Sequence, residues 1–313
     1  MRVIFMGSPE FALPTLKALN QRFEVSAVFT QPDRKAGRGR QVQSPPIKLL
    51  AESLGIQVYQ PSTLKYPETH KLIQELAPEV IIVAAYGKIL PNEILEIPAI
   101  ACINLHASLL PRWRGAAPIQ AAILEGDEQT GVSIMRMDPG LDTGPIYQQE
   151  MIEIYPDETS GELSKRLSNL GAETLIQALP AIFENKLEEH AQDESFATYA
   201  PMLKKTDGLL VFSRPATSLA RQVRAYEPWP SSFFIWKGVR FVVRKAEAVA
   251  TVNHPPGKCI EYNRLPAIAS DPGILVLHTI QPAGKRAMPG DTFLHGAKDF
   301  IDGRITDTTD ATS

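Results

Sequence analysis

Asn104 and His106 stand two residues apart at the end of the apolar run Ala101-Cys102-Ile103, ahead of the stiff turn Ser108-Leu109-Leu110-Pro111 and of Arg112-Trp113-Arg114-Gly115. If that run is a strand, its period of two sends both polar side chains to one face. An amide N–H beside an imidazole can polarise a carbonyl and also handle a proton. Thirty-six residues after His106 comes Asp142, within Met137-Asp138-Pro139-Gly140-Leu141-Asp142-Thr143-Gly144, a turn-rich segment able to return a carboxylate to the histidine. The three types together suit attack of an amine on an acyl carbon, where oxygen gains negative charge and nitrogen must lose a proton. One oxyanion donor is commonly worth ~3–4 kcal/mol in such a step. A carboxylate beside an imidazole orients the ring and favours its charged form. On the residues alone, a structural histidine at a strand end stays open as the other reading.

Those residues need elements to hold them, and the first half of the chain alternates strand-like and helix-like pieces. Arg2–Met6, Val25–Thr30, Gly55–Tyr59, Val80–Ala85 and Ile100–Leu105 read as strands; the stretches near 10–20, 45–54 and 66–76 read as helices. Such alternation predicts an α/β, Rossmann-like, doubly wound and mainly parallel sheet. Ligands of such sheets bind beyond the carboxyl ends of the strands, which is where Asn104 and His106 fall. Helical periodicity returns over 160–185, with Leu163, Leu167, Leu170, Leu175, Leu179 and Ile182 close to one face. Beyond about residue 188 the periodicity is lost. From Gly208 onward short apolar runs between turns (232–236, 240–244, 257–262 and 273–280), with a helix near 216–225, predict a smaller OB-like β-barrel domain. The expected organisation is therefore a domain over 1–188, a linker over 189–207, an OB-like domain over 208–305 and a disordered polar tail over 306–313.

Composition narrows the function classes. The 313 residues carry a net charge of −3 and 44% hydrophobic residues, an ordinary globular balance. The halves differ, because 206–313 holds 13 Lys and Arg against 10 Asp and Glu while 1–205 is acidic. A basic second half hints at an anionic partner, and random variation in surface charge explains it equally well. Cys102 and Cys259 are far apart and in no metal-like spacing, so neither a disulfide framework nor a metal site is expected. No apolar run is long enough to span a bilayer, which predicts a soluble, cytoplasmic protein without membrane contacts. Gly7-Ser8-Pro9-Glu10 lies where a dinucleotide fingerprint would, but has one glycine of the three required. The stretch from Asp33 to Arg40 places Arg34, Lys35, Arg38 and Arg40 beside two glycines, at the same sheet edge as the site. Gly-spaced cations of this kind suit phosphate contacts, against the plainer reading of a solvated loop.

These motifs resemble the 10-formyltetrahydrofolate-dependent formyltransferases. The likeness rests on Asn104-Leu105-His106-Ala107-Ser108-Leu109-Leu110-Pro111 with Asp142. It extends to Thr30-Gln31-Pro32-Asp33, Ala36-Gly37-Arg38-Gly39, Arg112–Gln120 and Glu227-Pro228-Trp229-Pro230, and so covers nearly the whole chain. The resemblance implies transfer of a formyl group from 10-formyltetrahydrofolate to the α-amine of methionine esterified to initiator tRNA, without a metal and by a monomer. It implies that Asn104 and His106 polarise the formyl oxygen, while Asp142 positions His106 and helps remove the amine proton. It further implies that Ser108, Leu109, Leu110 and Pro111 line the folate pocket, and that Arg34, Lys35, Arg38 and Arg40 approach the tRNA acceptor end. Two positions depart from the family pattern: Lys35 stands where proline is usual, and Ser8 where threonine is usual.

Two other readings compete. A relative acting on glycinamide ribonucleotide or an amino sugar nucleotide would share the Asn/His/Asp pattern without needing the second domain. A nucleic-acid-binding protein with an inactive Rossmann-like half would need that pattern to be idle. The role of Arg112-Trp113-Arg114, lid or buried corner, is undecided by the sequence.

Overall fold

Five parallel strands whose side chains are largely shielded from water form the centre of the first unit. The computed structural model describes residues 1–36, 41–250 and 254–306. Its first unit comprises Met1–Pro118, Gln129–Glu153 and Ser164–Pro201, and the second takes the remainder. In chain order the first part runs β1 (Arg2–Gly7), α1 (Leu13–Arg22), β2 (Glu24–Phe29), β3 (Arg34–Ala36), β4 (Gln41–Gln43), α2 (Pro46–Ser53) and β5 (Val58–Tyr59). It continues through α3 (Pro67–Leu76), β6 (Val80–Ala84), α4 (Asn92–Leu95), β7 (Ala101–His106), β8 (Arg114–Gly115) and α5 (Pro118–Glu125). Then come β9 (Gln129–Arg136), β10 (Ile146–Glu153), α6 (Ser160–Phe183) and β11 (Tyr199–Ala200).

The main sheet has the order β10-β9-β7-β6-β1-β2-β5. Strands β7, β6, β1, β2 and β5 are parallel, while β9 and β10 run antiparallel at one edge. All five residues of β6 and all six of β7 are buried, as expected of strands covered on both faces. Helices α2 and α3 begin on a proline, whose fixed φ suits the first helical position and whose missing N–H lacks an intrahelical partner there anyway. The alternation expected from the sequence is thus present. The antiparallel pair β9–β10 was not anticipated, because Gln148, Gln149 and Glu150 break the apolar texture of β10.

Residues 189–201 of the stretch expected to act as a linker belong to the first unit, and 202–207 to the second. Ile146 and His190 exchange two backbone hydrogen bonds of 2.9 Å, and β11 pairs in parallel with β8. Unit two is a separate antiparallel β structure: β12 (Ser232–Trp236), β13 (Val239–Val249), β14 (Cys259–Tyr262), β15 (Leu265–Ala269), β16 (Ile274–Pro282) and β17 (Met288–Pro289), with α7 (Ala216–Ala225) and α8 (Gly290–Gly296). Its sheet runs β12-β13-β16-β15-β14, with β17 on β16. Trp236, Phe241, Phe293 and Phe300 pack edge-on or tilted at centroid separations of 5.2–6.1 Å, giving this small domain an aromatic core. Among the described residues, no helix is long and apolar enough to cross a membrane.

Candidate active site

Strand geometry at β7 separates the two jobs of its last three residues. Leu105 points to one face, where the virtual Cβ of Gly171 on α6 would lie 2.6 Å from its Cδ1. A glycine there lets the helix approach the strand closely. Asn104 and His106 point the other way, as the period of two requires. Asn104 Nδ2 donates to Asp142 Oδ1 over a long 3.4 Å, and His106 Nδ1 lies 3.7 Å from Asp142 Oδ2. The three residues singled out for catalysis are therefore brought together, with Asp142 16% exposed and the other two buried.

The histidine has a definite orientation. Its Nε2 lies 3.0 Å from the carbonyl oxygen of Trp113, which can only accept, so the proton on Nε2 is assigned by this contact. In the neutral ring Nδ1 then keeps its lone pair and faces Asp142. The carboxylate is held at the oxygen that faces the ring by the backbone N–H of Gly115, which donates to Oδ2 at 2.8 Å. Trp113, Gly115 and Asp142 all have left-handed backbones, with φ of 61°, 116° and 54°. Gly115 is obligatory, since a Cβ there would sit 2.6 Å from the carbonyl oxygen of Ala200. Left-handed non-glycine residues are uncommon, and one of them within the histidine–aspartate pair with another in contact with it marks a place where local strain is tolerated.

Within Arg112-Trp113-Arg114 only Arg114 is buried; Trp113 is half-buried and Arg112 exposed, so neither a wholly exposed lid nor a corner with Trp113 in the core describes all three. The Arg114 side chain is 0% exposed and donates through Nε and Nη2 to Gln192 Oε1, and through Nη1 and Nη2 to the Glu194 carboxylate. Trp113 N donates to Thr198 Oγ1 at 2.9 Å, and Arg112 stacks over the Trp113 ring at 4.4 Å. None of Gln192, Glu194 and Thr198 was anticipated. They lie about 80 residues away in a polar stretch without periodicity, so no local pattern marks them.

The turn 108–111 divides into inward and outward residues. Ser108 is fully buried and its hydroxyl donates to Arg112 O at 2.6 Å, while Leu110 is buried against Met135 and Ile146. Ser133 Oγ donates to Ser108 O and accepts from Leu110 N, and Gln149 Nε2 donates to Leu110 O. Leu109 and Pro111 are half-buried. Burial pushes the Cys102 thiol on β7 up to about 12, so it is no nucleophile at neutral pH.

Of the basic residues, Arg34 is exposed on β3 and donates to Gln31 Oε1 at 3.2 Å. Lys35 pairs through its backbone with Val42 in the β3–β4 ribbon. Arg38 and Arg40 lie outside the described residues, as does the tail from 307. At the base of the ribbon Asp33 accepts from Lys48 Nζ and Gln60 Nε2, both at 2.7 Å. The Lys48 bond, ahead of that from Gln60, holds the Asp33 carboxyl below the usual carboxylate range.

A family model described as formyl transferase matches residues 1–179, and one described as formyl transferase, C-terminal domain, matches 202–298. The chain is 44% identical to the methionyl-tRNA formyltransferase of Methylococcus capsulatus over 94% of its own length and 96% of that protein's. Its identity to the enzyme of the same name from Magnetococcus marinus is 46%, covering 94% and 95%. Among solved structures, WlaRD, a sugar 3N-formyl transferase, superposes with a TM-score of 0.66 at 16% identity, covering 91% of this chain and 99% of that one. The methionyl-tRNA formyltransferase of Clostridium thermocellum gives 0.54 at 18%, covering 81% and 94%. At such identities the solved structures speak for the fold.

Proposed function

This chain belongs to the formyl transferase family, and from that premise we infer that it transfers the formyl group of 10-formyltetrahydrofolate to the α-amine of methionyl-tRNA. The product, N-formylmethionyl-tRNA, serves translation initiation. The observation that carries the reading is the convergence of Asn104, His106 and Asp142 at the carboxyl end of β7, in a chain matched over nearly its full length by methionyl-tRNA formyltransferases. The enzyme acts as a monomer in the cytoplasm, where initiator tRNA is charged.

The geometry supports a division of labour. As the amine lone pair forms the new C–N bond, the formyl π pair moves onto oxygen. Asn104 donates one amide N–H toward Asp142 and offers the other to that oxyanion. The amine proton passes to the His106–Asp142 pair at Nδ1, because Nε2 is engaged by Trp113 O. On collapse the bond from the formyl carbon to N10 of the folate breaks, and the proton is delivered to N10. Leu109 and Pro111 offer apolar contact to the folate, while Ser108 and Leu110 shape the turn that presents them. Arg34, Lys35, Arg38 and Arg40 meet phosphates of the acceptor end, with Asp33 fixing the base of the ribbon that carries Arg34 and Lys35.

The test is formylation with labelled donor of initiator methionyl-tRNA, elongator methionyl-tRNA and an amino sugar nucleotide. Initiator tRNA is the expected acceptor, and Asn104→Ala and His106→Ala are expected to lower kcat by about 100-fold or more. Preference for the sugar nucleotide, or near wild-type kcat in either variant, overturns the assignment.

A further inference from the structure

Gln192 commits every polar atom of its side chain to one corner of the site. Its amide nitrogen donates to the backbone carbonyls of Asp142 at 2.8 Å and Gly144 at 2.7 Å. Its amide oxygen accepts from Arg114 Nε at 3.1 Å and Nη2 at 2.8 Å. An amide has two donors and one two-lone-pair acceptor, so this capacity is filled. A glutamate there lacks the donors and a lysine lacks the acceptor.

The partner of Gln192 is equally committed. A buried guanidinium is costly unless its donors are met, and Arg114 has four hydrogen bonds to Gln192 and Glu194. Its chain neighbours face the other way, onto the catalytic pair. The carbonyl of Trp113 meets His106, and the N–H of Gly115 meets Asp142. Asp142 is thereby gripped twice, at its carboxylate by Gly115 and at its left-handed backbone by Gln192, and both grips lead back to Arg114.

We propose that Gln192 and Arg114 are positioning residues that set the Asp142 carboxylate against His106 Nδ1, so that turnover depends on two side chains that need touch neither substrate. This rests on the reading of Asp142 as the proton partner of His106. A displacement of about 1 Å at such a pair costs turnover about 100-fold.

The test is a double-mutant cycle on the full chain, with 10-formyltetrahydrofolate and initiator methionyl-tRNA. Gln192→Met is expected to lower kcat by about 100-fold and to change either KM by less than about threefold. Added to Asp142→Asn, it is expected to cost nothing further, since both act through one carboxylate. The same fold-loss in both backgrounds, or wild-type kcat in Gln192→Met, overturns the proposal. Wild-type kcat in Asp142→Asn alone instead removes the catalytic reading of Asp142, and the proposal with it. Gln192→Glu retains the size and the contact with Arg114 but not the donors, and covers the case in which the methionine variant does not fold. It is expected to melt near wild type and lose kcat to the same extent; wild-type kcat in Gln192→Glu also overturns the proposal.

Discussion

Arg114 has a fully buried guanidinium with four hydrogen bonds to Gln192 and Glu194, whereas Arg34, on β3, is exposed and donates to Gln31 at 3.2 Å. The same side chain is an internal strut in one place and a solvent-facing cation in the other. Around Arg114 the chain brings together three left-handed backbones, a parallel two-residue pairing and a histidine tied to a carbonyl. Around Arg34 the described structure is a short ribbon stapled at its base through Asp33, Lys48 and Gln60. Chemistry that must position a proton within tenths of an ångström needs the first kind of support. The contacts with phosphate proposed for the second, which act over longer distances, need no such support.

The contrast is most exposed to test at Gly115. An alanine there places Cβ 2.6 Å from Ala200 O, at a φ of 116° that L-residues avoid. It strains the β8–β11 pairing and shifts the N–H that holds Asp142. Gly115→Ala is expected to lower kcat by about 100-fold or more, with a lower thermal midpoint by calorimetry. Turnover near wild type would mean that the corner is not the rigid part of the comparison.

The basic stretch 34–40 is expected to respond in a different parameter. Replacing Arg38 and Arg40 together by alanine is expected to raise KM for tRNA about tenfold while leaving the KM for folate in place. The slope of log(1/KM) against log salt is expected to fall by about two, one for each phosphate no longer neutralised. If kcat falls and KM does not, these cations belong with the catalytic corner and the distinction collapses.

How much of this was readable beforehand follows the same line. The parallel core was legible because β6 is a continuous apolar run and β7 opens on one, and Asn104 and His106 because a two-residue period needs no tertiary knowledge. Asp142 was legible from its turn-rich neighbourhood. What the residues alone left open was the role of Arg112-Trp113-Arg114. Whether an arginine is buried depends on partners that arrive from elsewhere, and Gln192 and Glu194 come from a stretch with no periodicity. That stretch read as a linker because its order derives from pairing with β8 and from side-chain bonds, neither of which imposes a repeat. The inward turn of Ser108 and Leu110 was hidden for the same reason, since Ser133 and Gln149 on the unanticipated β9 and β10 hold it.

The smallest expected effect separates the two layers of the Arg114 corner itself. Glu194 is 67% exposed and its two oxygens accept from Arg114 at 2.7 and 2.8 Å. The hydrogen bond from Arg114, the leading cause, holds the Glu194 carboxyl below its ordinary value of 4.5. A carboxyl lowered in the folded state contributes stability that is present above its unfolded value and lost as pH falls through the folded one. The thermal midpoint of Glu194→Gln should therefore trail wild type near about pH 7 and converge with it as the pH falls below 4.5 and through the lowered folded-state value. Because the inner bonds from Arg114 to Gln192 remain, kcat of this variant is expected to fall by less than about threefold. A loss as large as that of Gln192→Met would show that the exposed glutamate, rather than the inner amide, sets Asp142. A gap in midpoint that persists unchanged to about pH 3 would show that the charge on Glu194 is not what Arg114 uses.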